Sequence, residues 1–114
     1  MISFIDPSNE KPYIEFKFHY DRAKILNQRA IEAMVISSYD QKSKEVDSRF
    51  VNLKYIFKNK WIFFTNYMSP KAIQFQSHNQ VSVIFFWQAT NIQIRIKANI
   101  SRTLSEFSDK HFHS

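Results

Sequence analysis

The sequence predicts a mainly β fold, a small antiparallel barrel with flanking helices, and three observations lead there. Five segments carry strand patterning and are joined by short polar turns: Met34–Tyr39, Ser48–Phe57, Trp61–Asn66, Val81–Trp87 and Ile92–Thr103. One helical pattern precedes them and another is inserted midway, an arrangement that suits a small rolled sheet closed at its ends by helices. The composition is 17% aromatic and includes 12 Phe, enough bulky apolar side chain to fill such a core without disulfides. At 114 residues, with no internal repeats and no low-complexity stretch, the chain reads as one domain, 1–114.

Taken in order, residues 1–20 form an N-terminal arm whose first part, Met1–Tyr13, carries two prolines. Within it Ile14, Phe16, Phe18 and Tyr20 alternate with Glu15, Lys17 and His19, which fits a strand and equally the start of a helix. Asp21 is a plausible N-cap, and Ala23, Ile25, Leu26, Ala30 and Ala33 recur at helical spacing, so a helix is predicted over 21–33. The barrel follows over 34–103. Asp40–Asp47 is read as a loop or wide hairpin, and Lys58-Asn59-Lys60 as a tight turn. Ser69 caps an inserted helix, 70–78, with Pro70 at its first position, where the missing amide hydrogen costs nothing. Ile92 to Ile100 is the most regular strand: its isoleucines and Ala98 face one way, and Gln93, Arg95, Lys97 and Asn99 the other, the mark of a sheet with one buried and one accessible face. A terminal helix is predicted over 104–113.

Composition removes several classes of function. Glycine is absent, so no glycine-rich phosphate loop of the Rossmann or Walker type exists, because those loops need backbone conformations that a side chain forbids. Cysteine is absent too, which excludes thiolate catalysis and cysteine-ligated metal. His111 and His113 are two apart on a predicted helix and share no face, and His19 and His78 have no partner nearby, so no metal site is expected. The N-terminus MISFIDPSNEKPY lacks a basic segment followed by an apolar run, and no apolar run approaches the roughly 18 residues of a membrane span. A cytoplasmic protein with no membrane partner is expected. Net charge is +6, which favours anionic partners, but the cations are scattered with no block of five, so a phosphorylated small molecule is preferred over nucleic acid.

The candidate binding residues gather on Ser48–Lys71. Arg49 and Lys54 stand on one predicted strand, and their odd separation puts them on opposite faces unless a bulge intervenes. Lys71 sits near a predicted helix start, where amides and the positive dipole end attract anions. On the polar face of the last strand Gln93 offers donor and acceptor together, suited to a planar heterocycle edge, beside Arg95. Trp61, Phe63, Phe64, Phe85, Phe86 and Trp87 are read mainly as core, with a stacking platform as the other reading.

Five segments carry a family likeness. AMVISSYD, SRFVNLK, FFTNYMSPK, HNQVSVIFFW and NIQIRIKANISRTLSEFSDKHFHS occur in order, and over about residues 30–114 the chain resembles the FMN-binding half of the pyridoxine (pyridoxamine) 5'-phosphate oxidase family. The resemblance implies an FMN-binding split β-barrel of Greek-key type, a homodimer with FMN between subunits, and oxidation of pyridoxine-type phosphates. It implies that the strand Arg49, Phe50, Val51, Asn52, Leu53 and Lys54 lines FMN, with Arg49 near its phosphate and Lys54 also facing the substrate phosphate. Phe64 and Thr65 match the aromatic-Thr pair beside the flavin, Lys71 the second cation of the phosphate clamp, and Gln93 the glutamine that approaches the ring. Three positions depart from the pattern. The clamp arginine is Pro70, the arginine before the glutamine is Ile92, and the substrate-phosphate tyrosine falls at His111. The chain also stops at Ser114, where the family continues into a second half that holds the substrate ring, so the alternative is a non-enzymatic split-barrel remnant acting as a dimeric binding or structural module.

Overall fold

The computed structural model describes residues 1–64 and 78–101 of the chain. Its elements are β1 (Ser3–Ile5), α1 (Lys11–Ile25), β2 (Ala33–Asp40), β3 (Glu45–Phe57), β4 (Lys60–Phe63), β5 (Gln80–Trp87) and β6 (Ile92–Asn99). The strands form one mixed sheet in the order β1-β3-β2-β5-β6, with β4 paired to β3. All pairings are antiparallel except β1 with β3, which run parallel. β5, which follows β4 in the chain, lies against β2 and not against β4.

The helix occupies Lys11–Ile25 instead of 21–33, and Asp21 lies inside it. Pro12 sits in its first turn, where proline's fixed φ helps a helix begin. The apparent strand alternation at Ile14–Tyr20 arises because this helix is apolar on two sides: Phe16, Tyr20 and Ala23 are buried, while Ile14 and Phe18 remain exposed. The helix ends where Asn27 and then Ala30 take left-handed backbone angles, φ 59° and 47°. Nor are residues 1–20 an irregular arm, since they supply β1 and most of α1.

One connection is tighter than predicted, and the β3–β4 turn is tight as predicted. Asp40–Asp47 is not a wide loop: strand pairing runs to Asp40 and Glu45, and the Asp40 carboxylate accepts from the Lys42 amide at 3.2 Å and the Ser43 hydroxyl at 3.0 Å. Lys44 closes that turn with φ 58°. In the β3–β4 turn the left-handed residue is Lys58, φ 56°, although Asn59 beside it is the chemically suited type. Tertiary bonds hold Lys58 there: its amide donates to Ile5 at 3.2 Å, its carbonyl accepts from Ser8 at 3.0 Å, and the Tyr13 hydroxyl donates to the Asn59 carbonyl at 2.9 Å. β4 and β6 stop at Phe63 and Asn99, short of the predicted Asn66 and Thr103. The terminal helix and, but for His78, the inserted helix fall outside the described residues.

α1 packs on one face of the sheet. Phe16 is its central contact, with ring centroids 4.6 Å from Trp61, 5.2 Å from Phe85 and 5.4 Å from Trp87. Met34, Ile36, Val81 and Val83 complete the layer. Its two polar handles are satisfied: the Trp87 indole donates to the Ile31 carbonyl at 2.9 Å, and the Tyr20 hydroxyl accepts from the Ile2 amide at 3.0 Å. The core reading of Phe85 and Trp87 holds, whereas Phe86 between them faces the other way and is exposed. Among the described residues no helix is long and apolar enough to cross a membrane.

Two stability outcomes follow from this packing. Phe16→Ala should destabilise the fold by about 3–5 kcal/mol, the usual cost of emptying an aromatic core site, read from urea unfolding. Lys58→Gly should raise stability by about 0.5–1 kcal/mol, since glycine takes a left-handed backbone without a Cβ clash, whereas Lys58→Val should lower it.

Candidate functional site

Burial of one sheet face under α1 leaves the opposite face of β3-β2-β5-β6 open. Cross-strand registers define what lies on it. Phe50 pairs with Val35, Val35 with Ile84, and Ile84 with Arg95, so these four form one row across the sheet. A second row runs Ser48, Ser37, Ser82, Lys97. Towards the other end of the strands Asn52 pairs with Ala33, and Phe86 with Gln93, on this same face. Phe50 and Phe86, on strands separated by β2, are 78% and 57% exposed, two bare aromatic rings on one face of the sheet.

The family-matched strand therefore divides. Phe50 and Asn52 present their side chains on the open face, together with Gln93 and Arg95. Arg49, Val51 and Leu53 take the opposite parity: Arg49 pairs with the buried Ile36, and Leu53 is 0% exposed in the core. Arg49 is nevertheless exposed, whereas Leu53 is fully buried and its amide donates to the Glu32 carbonyl at 2.9 Å. From Arg49 to Asn52 the described pairing of β3 is with β2 alone, so the other edge of this stretch can present backbone groups as well.

Lys54 sits at an irregularity. Leu53 and Tyr55 oppose the adjacent residues Phe63 and Ile62, so Lys54 is the extra residue of a β-bulge. The buried positions on either side, Leu53 and Ile56, are three apart, which shows that the alternation is reset there. The odd separation of Arg49 and Lys54 thus no longer forces them to opposite faces. Next to the bulge the Phe64 ring meets Tyr55 edge to face at 6.2 Å. Thr65, Lys71 and His111, and with them Pro70, lie outside the described residues.

Electrostatically the site is cationic. Arg49, Lys54 and Arg95 make no ion pair among the described residues, where the pairs are Lys11–Glu15, Lys17–Asp21 and the N-terminus with Glu32. Free cations, an amide that donates and accepts, and exposed rings together fit a planar heteroaromatic ligand that carries phosphate. Sequence reasoning did not single out Ser37, Ser48 and Ser82. Each is an ordinary outward strand residue, and only the register shows that they line up with Lys97.

No family model matches the chain. Individual proteins do. It is 31% identical over 110 residues to pyridoxine/pyridoxamine 5'-phosphate oxidase of Leptospira interrogans, covering 96% of this chain and 51% of that one. The Legionella pneumophila protein of the same name is 33% identical over 109 residues, covering 96% and 50%. The chain thus spans about half the length of these curated relatives. Among solved structures, PhzG from Burkholderia lata, determined with tetrahydrophenazine-1-carboxylic acid, superposes with TM-score 0.84 at 22% identity over 95% of this chain and 52% of that one. A pyridoxamine 5'-phosphate oxidase-related, FMN-binding protein from Nostoc punctiforme superposes with TM-score 0.62 at 16% identity, covering 92% and 54%. The structural likeness establishes the split-barrel fold, and the sequence alignments extend over 96% of the chain. Over the length it spans, this chain belongs to the pyridoxine/pyridoxamine 5'-phosphate oxidase family.

Proposed function

We propose that the chain binds FMN on the open face of its sheet, as a split-barrel flavoprotein of cytoplasmic type. The observation that carries the reading is the convergence of Phe50, Asn52 and Gln93 on one face, flanked by cations with no described ion-pair partner. In this reading Gln93 addresses the polar edge of the ring system, and Phe50 shields one side of it from water. Arg49, Lys54 and Lys71 carry the phosphate charge, with Thr65 beside the ring. Bound flavin would supply two-electron oxidation of a substrate carbon and return the electrons to oxygen, and the residues of this chain would orient it and balance its charge.

The relatives' names make a pyridoxine-type phosphate the substrate class to test, with Lys54 and His111 as the residues that would meet it. Pro70 favours a second reading, a binding module without catalysis. It stands where the clamp arginine is expected, and the lost charged hydrogen bond corresponds to about 1.5–3 kcal/mol of FMN affinity, roughly ten- to a hundredfold.

We also propose that a second copy of the chain packs on the end of the open face that carries Phe50 and Phe86, because exposed rings of this kind are surface that associates.

Titration of FMN into the purified chain, followed by flavin fluorescence, should show saturable binding, and Pro70→Arg should tighten it about ten- to a hundredfold. Colourless protein with no binding at about 100 μM FMN, a threshold near 5 kcal/mol, would sink the reading. Oxygen consumption with pyridoxamine 5'-phosphate then separates the oxidase from the module. Light scattering should give twice the chain mass, and Phe50→Asp should shift it towards the monomer.

A further inference from the structure

The open face carries a second feature at the end remote from Gln93. A cavity of about 210 Å³ lies between the β2–β3 hairpin and the start of β5. Its floor is the row Ser37, Ser82 and Lys97, and Tyr39, His78 and Gln80 surround it. The Ser37 and Ser48 hydroxyls hydrogen-bond at 2.6 Å, which orients Ser37 at the edge of the floor. The rings of Tyr39 and His78 meet edge to face at 5.6 Å and make a firm wall, and His78 Nδ1 lies 3.4 Å from Gln41 Nε2.

The donor set is one-sided. Among the described residues the cavity is lined by hydroxyls, an amide, an imidazole and one ammonium, with no carboxylate. Asp40, next to Tyr39, spends its carboxylate on the hairpin turn. Lys97 has no ion-pair partner among the described residues. A lysine flanked by hydroxyl donors and without an ion-pair partner among the described residues is an environment that favours an anion. The apolar part of the lining on this face, Tyr39 with Val46, suits a hydrocarbon body attached to it.

The geometry points to a second ligand site on this face, one that takes a small organic acid, a phosphate monoester or a carboxylate, with its charged group on Lys97, Ser82 and Ser37 and its apolar body against Tyr39. The volume is below the range usual for drug-sized ligands, which limits the occupant to one head group and a short body. Lys97 is four residues from Gln93 on β6, about 13 Å along the strand, so this site is separate from the proposed cofactor position and does not depend on it.

The test uses the whole 114-residue chain and two probes, phenyl phosphate and benzoate, followed by backbone amide NMR. Saturable shifts at Ser37, Ser82 and Lys97 with either probe are the expected result, and comparison of the two identifies the preferred head group. Lys97→Met should weaken binding at least tenfold, while Lys24→Met, which removes an exposed helix charge elsewhere, should leave it within twofold. Three outcomes would overturn the proposal: no shifts at 10 mM probe, roughly the weakest affinity worth calling a site; shifts confined to Asn52 and Gln93; or equal loss in the two lysine variants.

Discussion

Everything on the open face depends on the seating of Phe16 against Trp61, Phe85 and Trp87. That one side chain joins α1 to two strands, β4 and β5, meeting Trp61 and Phe85 edge to face and Trp87 at a tilt. Because α1 covers one side of the sheet, period-two alternation sends every intervening residue of β2, β3, β5 and β6 to the other side. The functional surface is in that sense the complement of the core. Phe50, Gln93, Arg95 and Lys97 are exposed because Met34, Ile36, Phe85 and Ile94 are not.

A chain without glycine has to obtain its turns by other means. Asp6, Asn27, Ala30, Lys44, Lys58 and Asn91 all adopt positive φ, and for Ala30 and the two lysines the side chain offers no compensation of its own. The cost at each is on the order of 1 kcal/mol and is offset by the surrounding bonds, such as those that tie Lys58 to Ile5 and Ser8. The bulge at Lys54 is a similar local departure with a positional effect. It turns the strand that carries the family motif and changes which of its residues share a face.

The family motif is thus not a set of side chains aimed at one point. Phe50 and Asn52 stand on the open face, Leu53 is core, and Arg49 lies on the core side's parity yet in solvent. Such a strand offers an edge as well as alternate side chains, so a run of six matched residues is compatible with a sheet in which only every second one faces a given side.

Much of this was legible in the sequence. The five barrel strands, the polar face of β6 and the family were readable because strict alternation and ordered motifs are local properties of the chain. The helix at Lys11–Ile25 was misplaced because an aromatic pattern that is apolar on both sides of a helix looks like strand alternation, and only packing against the sheet selects Phe16, Tyr20 and Ala23 as its buried face. The parallel pairing of β1, the bulge at Lys54, the left-handed Lys58 and the alignment of Ser37, Ser48 and Ser82 with Lys97 were decided by tertiary structure alone. Each depends on register between segments far apart in the chain, and register is set by how the whole sheet buries its apolar face, information that no single segment carries.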